Sequence, residues 1–147
     1  MRTTIVASLI LLLTNLPAES TQQAPLRNVT IFAGEYAYRA PTEVPAGLTA
    51  IHFVNVGKHP HELQFFRFKP GVSARTARNY LVSGDVPDSA ADPSGGVLIA
   101  FAGVTSHEQL LVPLTRGDRY ALMCAFRDAP GKPKHNTLGM VALLEVR

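Results

Sequence analysis

A short C-terminal stretch, YALMCAFRDAPGKPKHNTLGM (residues 120–140), gathers donor atoms of an unusual mix. It contains Cys124, the one cysteine of the chain, together with His135 and Met140. Copper in electron-transfer sites prefers two imidazoles and one thiolate in a plane, with a weak thioether on the axis. The stretch supplies one imidazole, the thiolate and the thioether, so a second imidazole must come from elsewhere. His52, His59, His61 and His107 remain. His61 is best placed. It opens a strand just after the turn-forming NVGKHP, where a loop from a neighbouring strand can reach it. His52 falls inside a strand, His59 sits in the turn beside Pro60, and His107 starts a strand in a polar setting. A lone histidine counts as a ligand only when partners converge on it.

The elements that must position these residues read as short strands. Eleven glycines and eleven prolines punctuate apolar runs, a rhythm of strands and turns. Strands are expected at Val29–Ala33, Tyr36–Arg39, Leu48–Val56 and His61–Phe68, then at Val97–Gly103, Glu108–Leu114, Asp118–Phe126 and Met140–Val146. SARTARNYLVSG opens on Ser73, a helix-capping residue, and closes before Gly84, which predicts the single helix, with Ala77, Tyr80 and Leu81 on its apolar side. Residues Asp85–Gly96, rich in Pro, Asp, Ser and Gly, read as a loop. The expectation is an all-β fold, a β-sandwich or barrel with one short helical insertion and the donor-bearing loop between its last two strands.

The N-terminus reads as an export signal over residues 1–20, followed by one domain over 21–147. Arg2 is followed by the apolar run Ile5–Leu13 and by small residues at Ala18 and Ser20. The run is too short to span a bilayer, so no membrane span is expected in the mature form. Cleavage would remove one charge of each sign, Arg2 and Glu19, and keep the net charge at +3. No Lys/Arg run marks a nucleic-acid surface. Exported proteins usually pair their cysteines, and a single cysteine has no internal partner. Cys124 is then a packed thiol, a reactive one or a metal ligand.

The stretches YRAPTEVPAGLTAIHFVNVGKHPHELQFFRF and RYALMCAFRDAPGKPKHNTLGMVALLEV resemble the cupredoxin, or blue-copper, family over about residues 28–146. The resemblance is greatest to exported bacterial cupredoxin-like proteins with a helical insertion after the first ligand strand. It implies a Greek-key β-sandwich, one copper ion, one-electron transfer to a redox partner protein, and a periplasmic or secreted location. It maps the metal ligands to His61, Cys124, His135 and Met140.

Two local departures set further expectations. Ten residues lie between Cys124 and His135, a longer loop than in familiar blue-copper proteins. Closure cost grows only as about 1.5 RT ln n, so the length is compatible with a site but loosens its geometry. Glu62 follows the first ligand where many relatives carry a small polar residue; strand alternation should turn it away from His61. Phe126, Leu138 and Val141 are expected to exclude solvent from the metal, and Arg127, Lys132 and Lys134 to steer an acidic partner.

Cys124 is flanked by Met123 and Ala125 rather than by the histidines of multicopper oxidases, so oxidase activity is not expected. A Cys–His hydrolase lacks a third, orienting residue at any recognisable spacing. The chain is therefore not expected to be an enzyme. Two alternatives to electron transfer stand: a metal-free binding module on the same fold, and a copper-handling protein.

Overall fold

The computed structural model describes residues 25–147; the expected signal at 1–20 lies outside them. Nine strands and one helix follow in the order β1 (Arg27–Gly34), β2 (Ala37–Arg39), β3 (Glu43–Val44), β4 (Gly47–Asn55), β5 (His61–Phe68), α1 (Ala74–Ser83), β6 (Ala91–Ala100), β7 (Leu110–Leu114), β8 (Arg119–Met123) and β9 (Val141–Val146). A 3-10 turn, His135–Leu138, precedes β9. The strands form a four-stranded sheet, β2-β1-β4-β7, and a five-stranded sheet, β3-β9-β8-β5-β6. Both are mixed, with β1 parallel to β4 and β3 parallel to β9. No helix among the described residues is long and apolar enough to cross a membrane.

The core follows from period-two burial. Ile31 and Phe53 from one sheet share a cluster with Leu63, Phe65, Leu122 and Leu144 from the other. Successive side chains on a strand face opposite ways. The phase that buries Leu63 and Phe65 therefore buries His61 at the end of β5. The outer face of the five-stranded sheet is covered by α1, where Ala77 and Leu81 meet Phe68, Ala121, Met123 and Val141. Tyr80 packs at the margin of that cluster.

The helix begins and ends as expected. The Ser73 side chain accepts a hydrogen bond from the Thr76 N–H at 3.1 Å. Gly84 closes the helix at φ 74°, a left-handed conformation that side chains resist.

The segment expected as a loop over 85–96 differs in its second half, since β6 already begins at Ala91. β6 is an edge strand, where Pro93 breaks no ladder on its free side. Its pairing with β5 shifts between Phe65 and Arg67, and Gly95 accommodates the resulting bulge. A Cβ on Gly95 would lie 1.9 Å from the Phe65 carbonyl oxygen. Pro113, in β7, is likewise tolerated on the edge of the other sheet.

Candidate metal centre

Asn55 builds the turn that delivers His61. Its side-chain oxygen accepts from the Gly57 N–H at 2.8 Å, and its amide donates to the carbonyls of His59 at 2.7 Å and Ala100 at 3.0 Å. The Asn is buried, so these bonds are shielded and tie the end of β4 to the start of β5. Gly57 leaves room for the ligand ring; a Cβ there would lie 3.2 Å from His61 Nε2.

The second half of the site hangs on a pinned neck. After Cys124 the chain runs out through residues 127–134 and returns. The His135 N–H donates to the Phe126 carbonyl and the Asn136 N–H to the Cys124 carbonyl, both at 2.8 Å. Met140 is held from both sides: its N–H donates to the His135 carbonyl at 3.0 Å, and its carbonyl accepts from the Cys124 N–H at 3.3 Å. The excess length is an excursion above this neck, so it does not loosen the donors as expected.

Asn136 extends the neck to the helix. Its amide donates to the carbonyls of Leu81 at 2.8 Å and Val82 at 3.3 Å at the end of α1, where Leu81 also accepts from the Gly84 N–H at 3.2 Å. Gly84 permits this approach, since a Cβ there would lie 2.8 Å from the amide nitrogen. Asn136→Ala is expected to destabilise the metal-free protein by about 0.5–1.5 kcal/mol, the usual net contribution of a hydrogen bond, because Leu81 keeps its bond from the Gly84 N–H. Urea unfolding followed by circular dichroism measures it.

His61, Cys124 and His135 converge. Their donor atoms form a triangle: His61 Nδ1 to His135 Nδ1 is 3.1 Å, His135 Nδ1 to Cys124 Sγ 3.4 Å, and His61 Nδ1 to Cys124 Sγ 3.9 Å. All three residues are 0–1 % exposed. With metal–nitrogen bonds of about 2.0 Å and metal–sulfur bonds of about 2.3 Å, trigonal donors stand about 3.5–3.7 Å apart. The triangle brackets those separations. On the other side of the ring from this triangle, His61 Nε2 is buried and has no hydrogen-bond partner. Met140 is fully buried in the same core cluster as Cys124.

The electrostatics suit a metal ligand set. Burial, then the neighbouring His135, lower the His61 pKa, keeping its ring neutral. Burial raises the Cys124 pKa, while the N–H groups of Glu62 and Phe126 pull it back; the Glu62 N–H lies 3.4 Å from Sγ. The Glu62 side chain accepts from the Ala125 N–H at 2.8 Å and the Gln64 amide at 3.0 Å. It braces the residue next to Cys124.

The other histidines lie apart from the triangle. His52 Nε2 meets Asn28 Oδ1 at 2.9 Å, and His107 is exposed. Leu138 is 44 % exposed and does not seal the site, and Val141 packs in the cluster beneath α1; Phe126 does lie against the core.

One group escaped sequence reasoning. Asp128 Oδ1 accepts from His135 Nε2 at 2.9 Å. Cys124, His135 and Asp128 therefore have the connectivity of a nucleophile, a base and its orienter, and the orienting residue missing from the sequence pattern exists. Cys124 is fully buried and its pKa is raised, the reverse of an activated nucleophile. No sequence signal singled out Asp128, which precedes His135 by seven residues in a polar loop.

No family model matches the chain, and no curated protein matches it. Solved structures do. A methionine-to-glutamine mutant of rusticyanin superposes with TM-score 0.50 at 20% identity, covering 83% of this chain and 78% of that one. The fold is the cupredoxin fold. Auracyanin A of Chloroflexus aurantiacus, a "blue" copper protein, aligns at 22% identity over 84% of this chain and 100% of its own, with TM-score 0.48. Auracyanin of Roseiflexus castenholzii aligns at 19% identity over 82% and 96%, with TM-score 0.49. The cupredoxin fold accounts for the two-sheet sandwich.

Proposed function

We propose that this chain is an exported protein that holds one copper ion and carries single electrons. His61, Cys124 and His135 would hold the ion, with Met140, buried in the same cluster as Cys124, as the further donor. The observation that carries this reading is the convergence of two Nδ1 atoms and one Sγ in a buried triangle. A copper ion there would supply a one-electron couple between Cu(II) and Cu(I). The chain's own part is to keep the donors in place and water out. The pinned neck and the Asn55 turn do the first, and burial does the second. Rigid, dry ligands reduce the rearrangement that accompanies each change of charge.

Burial also favours a carrier over a copper-handling protein, which needs donors within reach of an acceptor. Arg127 and Lys132 are exposed on the 127–134 excursion, with half-buried Lys134 at its end. They would steer an acidic redox partner, an effect that added salt should weaken. Export rests on the signal pattern of residues 1–20.

Visible absorption after one equivalent of Cu(II) tests the reading. An intense thiolate-to-copper band is expected. A folded protein with no such band would leave the metal-free binding module as the better account.

The pKa directions add a sign. His61 is already neutral at pH 7, so it offers no proton in competition with the metal. Cys124 is protonated there and must lose its proton to bind. Apparent copper affinity should therefore rise by about tenfold per pH unit from about pH 7 upward and keep rising past the ordinary thiol range, because burial raises the Cys124 pKa, with about one proton released per ion. Competition titrations at several pH values measure the slope; a flat profile would mean that Cys124 is not a ligand.

A further inference from the structure

The edge of His135 opposite the donor triangle meets a second cluster. Its Nε2 lies 2.9 Å from Asp128 Oδ1. A carboxylate only accepts, so Nε2 carries the proton and donates it. In a neutral ring this leaves the Nδ1 lone pair facing His61 and Cys124. Asp128 is itself held. Its Oδ2 accepts from the Tyr36 hydroxyl at 2.5 Å, and His59 Nδ1 lies 3.3 Å from its Oδ1.

Tyr36 is placed with care. Among the described residues it is the one non-glycine at positive φ, 56°. Its ring stands edge-on to His135, with centroids 5.1 Å apart, and stacks beside His59 at 6.3 Å. Three separate turns thus meet on one imidazole edge: the β1–β2 turn, the turn before β5 and the 127–134 excursion. A residue tolerated in the left-handed region is commonly maintained there by its surroundings for a local purpose.

We infer that Asp128 is a positioning residue, whose carboxylate fixes His135 with Nδ1 toward the donor triangle and places a negative charge behind that ligand. The long Cys124–His135 loop is then the means of bringing this carboxylate to the site. The inference rests on the copper reading for its effect on the metal, but its hydrogen bond exists without metal.

Asp128→Asn keeps an acceptor and removes the charge; Asp128→Ala removes both. In the metal-free wild type, proton NMR should show a His135 Nε2–H signal shifted downfield and slow to exchange. It should persist in Asp128→Asn and vanish in Asp128→Ala, with thermal unfolding confirming that both variants fold. A signal unchanged in Asp128→Ala overturns the inference. With copper, Asp128→Ala should lose about 10–100-fold in affinity. Asp128→Asn should weaken Cu(II) about tenfold more than Cu(I), raising the potential by about 59 mV. Potential and affinity unmoved in both variants, with the wild-type copper band present, would also overturn it. A wild type that binds no copper refutes the function instead, and the imidazole signal still decides whether Asp128 holds His135.

Discussion

Replacing Cys124 by Ser is expected to abolish the intense visible band of the copper-loaded protein while leaving the fold intact. The band requires charge transfer from a soft thiolate, and an alcohol oxygen is hard and remains protonated at neutral pH. Serine is nearly isosteric, and the Glu62 and Phe126 N–H groups that point at Sγ would find its oxygen instead. The metal-free variant should therefore unfold within about 1 kcal/mol of wild type. The two imidazole nitrogens remain 3.1 Å apart, so weaker, pale Cu(II) binding should persist. Absorption titration and isothermal calorimetry on both proteins separate colour from affinity. A band that survives in the serine variant would remove Cys124 from the metal and, with it, the proposed function.

Phe53→Ala carries the largest expected stability loss. Phe53 is fully buried on β4, edge-on to Tyr38 with ring centroids 6.4 Å apart, in the cluster that includes Cys124 and Met140. Truncating such a ring costs about 3–5 kcal/mol through lost burial and the cavity left behind. Domains of this size hold about 5–15 kcal/mol in all. The midpoint of thermal unfolding should fall by roughly 10–20 °C. Phe101→Ala is the matched control, because Phe101 is 68 % exposed. It should change stability by less than about 0.5 kcal/mol. Equal losses in the two variants would mean that the core does not lie between the sheets. Tyr38 also ties the core to the site, since its hydroxyl donates to the Glu62 carbonyl at 2.5 Å. The Phe53 variant should thus broaden the copper band as well.

Local signals carried much of this architecture. The turn-forming break before HELQFFRF placed β5 at His61–Phe68, as the structure has it, and Ser73 and Gly84 bracketed α1 because capping is chemistry within one turn. The candidates His61, Cys124 and His135, which the structure brings together, drew notice because thiol, imidazole and thioether are rare together. Edge-strand β6 was misread over Ala91–Gly96, because Pro and Gly signal a loop unless the strand has a free side and a bulge. What could not be read is what joins distant loops. Asp128, Tyr36 and His59 are ordinary loop residues in sequence, and only the sandwich brings them to His135. Asn136 carries no sequence signal either, yet it braces the helix insertion. The neck at Phe126 and His135 was hidden too, since backbone pairing leaves no mark on residue type.

The burial of the donors has a kinetic consequence. His61, Cys124, His135 and Met140 lie beneath a closed surface, so an ion reaches or leaves them only when the chain breathes. The neck's hydrogen bonds, the Asn136 brace and the contacts that hold Asp128 all resist such opening. If the proposed function holds, metal exchange would be governed by an opening rate and become independent of free copper once copper is abundant. Under the proposed function, an ion bound there would exchange slowly while electrons pass quickly: a slow clock for the metal around a fast one for the charge.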